Sequence, residues 1–116
     1  MGFSLGGLFA LYALFSQFDT FTRYIVGDPS LWWNAGILFN MENEFASQNG
    51  DLSAKVFLSV SGSDAEYMIA DMYKMADALR SREHKSLELK TRFFDGETHT
   101  SGYPAFVSWG LRAAWA

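Results

Sequence analysis

The chain begins with residues that have a chemical reading. Gly2-Phe3-Ser4-Leu5-Gly6 is a Gly-x-Ser-x-Gly motif that runs, through Gly7, straight into the apolar stretch Leu8 to Phe15. In that setting the serine sits on a strained strand-to-helix turn with its hydroxyl presented as a nucleophile, and the glycines let strand and helix approach closely. Leu5 would then supply a backbone N–H at a helix N-terminus, where a developing oxyanion is stabilised. Three fixed residues also arise by chance in a few per cent of chains this long. A glycine-rich start to a buried helix is the competing reading.

A serine nucleophile needs a neighbouring base. Of the two histidines, His84 lies in the polar stretch Ser81-Arg82-Glu83-His84-Lys85 and reads as part of a solvated connection. His99 follows the last strand-like segment, in Asp95-Gly96-Glu97-Thr98-His99, and is the candidate base. The third member, an acid that orients the imidazole, has two candidates. Asp64 follows the strongest strand and falls between Ser4 and His99, although an acid in a first helical turn is also favoured by the helix dipole. Asp28 follows the preceding strand, although Asp before Pro is also a common turn starter. Asp64 is favoured and Asp28 is the alternative. Glu66 is accounted for by a capping box with Ser63, and Glu97 is too close to His99 in sequence to orient its ring.

The elements that must carry these residues alternate. Arg23 to Val26 reads as a short strand closed by Gly27-Asp28-Pro29, Lys55 to Val60 as a strand covered on both faces, and Leu87 to Phe94 as a strand with one wetter face near a sheet edge. Ala35 to about Gln48 reads as a helix capped by Asn34, with Ile37, Leu38, Met41 and Phe45 on one face. A second helix opens at Ser63 and buries Met68, Met72, Met75 and Leu79. A last one, Tyr103 to Trp115, has Pro104 in its first turn and Val107, Leu111 and Ala114 inward. Strands alternating with helices imply an α/β fold of three layers, a mostly parallel sheet flanked by helices. Ligands bind such sheets at the carboxyl ends of the strands, where Ser4, Asp28, Asp64 and His99 would all lie.

Composition narrows the class further. The 116 residues, 49% hydrophobic and 19% charged, suffice for one folded unit and exclude a disordered chain. The net charge of -4 and the absence of a basic run argue against nucleic acid as a partner. With no cysteine there is neither a disulfide nor a thiolate metal site, and no metal or cofactor is expected. Met1 to Phe18 lacks the basic region and cleavage site of a signal peptide, and its apolar run is too short to span a bilayer. A buried helix is expected there, and no membrane association.

Four strings together are similar to the esterase-D-like and enterochelin-esterase-like branch of the α/β-hydrolases. They are Gly2-Phe3-Ser4-Leu5-Gly6-Gly7, Asp28-Pro29-Ser30-Leu31-Trp32-Trp33, Val56-Phe57-Leu58-Ser59-Val60 and Phe94-Asp95-Gly96-Glu97-Thr98-His99, in the family's order. The resemblance spans the chain but only the second half of the family's domain, so residues 1–116 are expected to be one partial domain that starts at the nucleophile turn. It implies a serine esterase acting on a small-molecule ester through an acyl-enzyme, with Ser4 as nucleophile, His99 as base, Asp64 as acid and no cofactor. A cytoplasmic location is expected, although a cysteine-free chain tolerates either redox environment. Trp32 and Trp33 are expected at the substrate pocket, one packed in the core and the other facing the ligand, with filler under the last helix beside Trp109 as the equal alternative. With no strand ahead of Ser4, the strand at Tyr24 to Val26 is expected to expose an edge. A missing N-terminal half, or self-association, would cover that edge. A catalytically silent fragment or binding module is the alternative to an active enzyme.

Overall fold

The computed structural model describes residues 1–115. The elements run in strict alternation: β1 (Gly2–Phe3), α1 (Leu5–Ser16), β2 (Arg23–Gly27), α2 (Trp33–Gln48), β3 (Ala54–Ser61), α3 (Glu66–Ser81), β4 (Leu87–Phe94) and α4 (Gly102–Trp115). The four strands form one parallel sheet in the order β1-β2-β3-β4. Each pair of neighbouring strands is joined by a helix, as parallel pairing requires.

The strands divide their side chains between two cores, following the period of two. Tyr24, Val26, Val56, Leu58 and Val60 pack against α1, α2 and α3. Ile25 and Phe57 point the other way, into a smaller core with Phe94, Phe106 and Ala114. Hence α4 covers one face alone, and the architecture is the expected three-layer α/β sandwich. Every residue of β3 except Lys55 is buried.

Several local expectations need correction. The sheet has a strand ahead of Ser4 after all: Gly2 pairs with Val26 and Phe3 with Gly27. At two residues it covers only the carboxyl end of β2. Helix α1 is buried on one side only, since Leu5, Phe9 and Tyr12 are exposed. Asn34 does not cap a helix; Asn34, Ala35 and Gly36 have φ of 51°, 54° and 75°, a left-handed kink that sets the regular part of α2 beyond them. That helix buries Leu38 and Phe45 together with Glu42, which Arg82 holds through two hydrogen bonds of 2.9 Å. On α4 the inward residues are Phe106, Gly110 and Ala114, and Leu111 is exposed. The His84 ring is not fully solvated: both its nitrogens are buried with no hydrogen-bond partner among the described residues, and the ring packs against Phe45. No helix among the described residues is long and apolar enough to cross a membrane.

Candidate active site

The turn between β1 and α1 is built around Ser4, which has φ 61° and ψ −118°. A non-glycine residue there costs about 1–3 kcal/mol and persists only where its surroundings enforce it. The enforcement is visible. Ser4 N–H donates to Gly27 O at 2.8 Å, while Ser4 O accepts from Leu8 N–H and Ser30 N–H, both at 3.1 Å. A Cβ on Gly2 would run into the Gly6 carbonyl, and one on Gly7 would lie 2.9 Å from Gly27 O. By contrast, a Cβ on Gly6 would meet nothing within 4 Å. The close approach thus needs Gly2 and Gly7, and the last glycine of the motif is not sterically required.

The β4–α4 loop brings His99 back over this turn. Its Nε2 lies 2.9 Å from Ser4 Oγ and its Nδ1 lies 2.8 Å from Asp64 Oδ2. With the ring's single proton on Nδ1 and donated to Asp64, Nε2 accepts from the Ser4 hydroxyl. Phe3 packs a tilted ring 5.2 Å from the imidazole and fixes its other side. Asp64 reaches Nδ1 because the expected capping box does not form. Ser63 N–H donates to Glu97 O, Asp64 N–H to Ser61 O, and α3 begins only at Glu66 with no side-chain cap. Asp64 therefore lies in a turn, ahead of the helix. Glu97 does not orient the ring either; it accepts from Ser101 Oγ.

Asp28 is brought to the same place. Its carboxyl is 1% exposed, and its Oδ2 stands 3.3 Å from His99 Nδ1. Ser61 N–H donates to Oδ1 at 2.8 Å and the Ser61 hydroxyl to Oδ2 at 2.7 Å. Burial pushes the Asp28 carboxyl up to about 6 and the adjacent Asp64 adds to the rise, against the Ser61 hydrogen bonds that favour the anion. Sequence reasoning missed Ser61, although a serine ending a buried strand must find a partner. Asp28, Asp64 and His99 are also close enough to ligate a cation. A metal on Nδ1 would put the ring proton on Nε2, which could then no longer accept from Ser4. A cation and a general base are mutually exclusive here.

Leu5 opens α1, directly after Ser4, so its N–H has no acceptor within the helix. A groove of about 420 Å³ runs from Leu5 between α1 and α2, lined by Leu8, Phe9, Tyr12, Trp33, Ile37 and Met41. Trp32 faces a separate hollow with Leu31, Phe39 and Lys74. The two tryptophans do point apart, but at 50% and 47% exposure neither is in the core.

A parallel sheet with helices on both faces, carrying serine, histidine and aspartate in hydrogen-bonded series at the strand ends, is the arrangement of a serine hydrolase. No family model matches the chain. Known proteins agree with the class. The chain is 29% identical over 118 residues to the ferri-bacillibactin esterase BesA of Bacillus subtilis, covering 97% of this chain and 41% of that protein. It is 29% identical over 136 residues to the siderophore triacetylfusarinine C esterase of Aspergillus fumigatus, covering 95% and 46%. The crystal structure of the BES protein from Bacillus cereus superposes with a TM-score of 0.85 at 31% identity, over 99% of this chain and 44% of that one. The chain is therefore similar to these siderophore esterases along essentially its whole length, and spans less than half the length of the relatives it matches.

Proposed function

We propose that this chain hydrolyses carboxylic esters through an acyl-enzyme formed on Ser4. The observation that carries the reading is the line Ser4 Oγ to His99 Nε2 at 2.9 Å and His99 Nδ1 to Asp64 Oδ2 at 2.8 Å. Ser4 Oγ attacks the ester carbonyl as its proton passes to Nε2, and Leu5 N–H donates to the resulting oxyanion. Collapse breaks the ester C–O bond, and the alcohol leaves with the proton from Nε2. Water then attacks the acyl-serine with His99 again as base, releasing the acid and restoring Ser4. Asp64 holds the ring and faces the imidazolium as it forms.

The names of the relatives support an ester of the siderophore type as substrate, and the groove beside Leu5 offers an apolar wall, with Trp33 in it, to one side of that ester. The reading takes a small-molecule ester as the partner and the cytoplasm as the location. A fluorophosphonate probe followed by peptide mass spectrometry tests it. Label is expected on Ser4, and it should disappear in Ser4→Ala and His99→Ala. Turnover of a chromogenic ester should fall at least about 10³-fold in both variants. Undiminished labelling in Ser4→Ala refutes the nucleophile; a folded wild-type chain that neither labels nor turns over is catalytically silent.

A further inference from the structure

The catalytic line leaves one buried acid without a role. Asp28 follows β2, adopts φ 42° and donates its N–H to Ser59 O at 2.9 Å. Both of its carboxyl oxygens are tied to Ser61, whose hydroxyl lies against Gly102 in the space that a Cβ there would need. Asp28 Oδ2 is thus fixed 3.3 Å from His99 Nδ1, beside Asp64 Oδ2 at 2.8 Å. Nδ1 donates its hydrogen bond to Asp64 Oδ2, and Asp28 Oδ2 stands next to that bond at 3.3 Å, close enough to take the proton if Asp64 is removed.

The two carboxyls differ in how they are held. Asp64 makes the hydrogen bond to Nδ1, at 2.8 Å, and its carboxyl also lies against that of Asp28. Asp28 stands farther from Nδ1, at 3.3 Å, in a position anchored by both Ser61 hydrogen bonds. Among the described residues, Asp64, from the turn after β3, and His99, from the loop after β4, are the only titratable groups facing it, and no Lys or Arg pairs with it.

We propose that Asp28 is a second acceptor for the His99 Nδ1 proton, a positioning residue that, with Asp64, keeps the imidazole in the tautomer whose Nε2 accepts from Ser4. The proposal rests on the reading of Ser4 and His99 as nucleophile and base. Either carboxylate alone holds the tautomer, and removing both releases it.

The test reads the tautomer directly, by nitrogen-15 NMR of histidine-labelled chain at mildly alkaline pH, with the His99 signals assigned by their loss in His99→Gln. In Asp64→Ala the Nδ1–H form is expected to persist. In Asp64→Ala combined with Asp28→Asn the Nε2–H form should take over. Asn at position 28 keeps an acceptor for Ser61 N–H, so the fold is retained, which thermal melting verifies. Full conversion to the Nε2–H form in Asp64→Ala alone overturns the proposal, because Asp28 would then hold nothing. A merely structural Asp28 would leave the tautomer unaltered in both backgrounds. Turnover forms a second arm, with a loss of about 10²-fold expected in Asp64→Ala and about 10⁴-fold in the double variant, the cost of a wrong tautomer. Expected tautomers without turnover in the wild type overturn the esterase reading and leave the second acceptor standing.

Discussion

The raised Asp28 carboxyl has a measurable consequence that does not depend on any substrate. Burial and the neighbouring Asp64 lift it from 3.8 to about 6 in the folded chain. The folded state therefore binds this proton more tightly than the unfolded state does. The resulting stabilisation is fully present below about pH 4 and is lost as the pH rises through about 6. A rise of roughly two pH units corresponds to about 3 kcal/mol, since each unit is worth about 1.4 kcal/mol. Asp28→Asn abolishes this titration while keeping an acceptor for Ser61 N–H. Any change in hydrogen-bond quality shifts the variant's stability by the same amount at every pH, so the informative quantity is the pH dependence of the difference. Asp71, also raised by burial, titrates in both proteins and cancels. Urea unfolding of the two proteins across about pH 4 to 8 should show the variant gaining on the wild type by about 3 kcal/mol. Nearly all of that gain should fall between about pH 4 and 6, with a plateau above. Parallel stability curves over the range would refute the buried, raised carboxyl and the close Asp28–Asp64 pair with it.

Two further outcomes are expected. Gly7→Ala should lower stability by about 1–3 kcal/mol, because its Cβ would press on the Gly27 backbone, whereas Gly6→Ala should be neutral or stabilising by up to about 1 kcal/mol. Equal losses in thermal or urea unfolding would show that the turn is not shaped by these contacts. Trp33→Ala should raise KM for longer-chain acyl esters about tenfold relative to acetyl esters, while fluorophosphonate labelling of Ser4 is unchanged. A uniform change across chain lengths would remove the groove from the substrate path.

The layer order and three of the strands were legible because their signals are local and strong. The apolar run Val56-Phe57-Leu58 has no other use than a doubly covered strand, and Met68, Met72, Met75 and Leu79 can share a face only on a helix. The errors arose where tertiary partners outbid a local preference. Ser63 is spaced correctly from Glu66 for a capping box, but its N–H is taken by Glu97 O, and the helix starts later. Asn34 suits an N-cap equally well, yet the left-handed run at Asn34-Ala35-Gly36 delays the regular helix. The two-residue β1 carries no periodicity at all and exists because the elbow needs Ser4 N–H on Gly27 O.

The choice between Asp64 and Asp28 was unresolved in the sequence for a reason that the sheet register explains. β2 and β3 are adjacent and parallel, with Gly27 opposite Ser59. A residue one step beyond β2 therefore lies beside the last residues of β3, and Asp28 meets Ser61 there. The turn that follows Ser61 carries Asp64 over the same strand ends. β4 runs on to Phe94 opposite Ser61, so its loop delivers His99 to that point as well. Parallel pairing thus converts two sequence-distant acids, each just past a strand, into neighbours around one imidazole nitrogen. A rule that assigns one acid per triad has to discard one of them. The geometry keeps both within 3.3 Å of Nδ1, and the tautomer measurement weighs what each contributes.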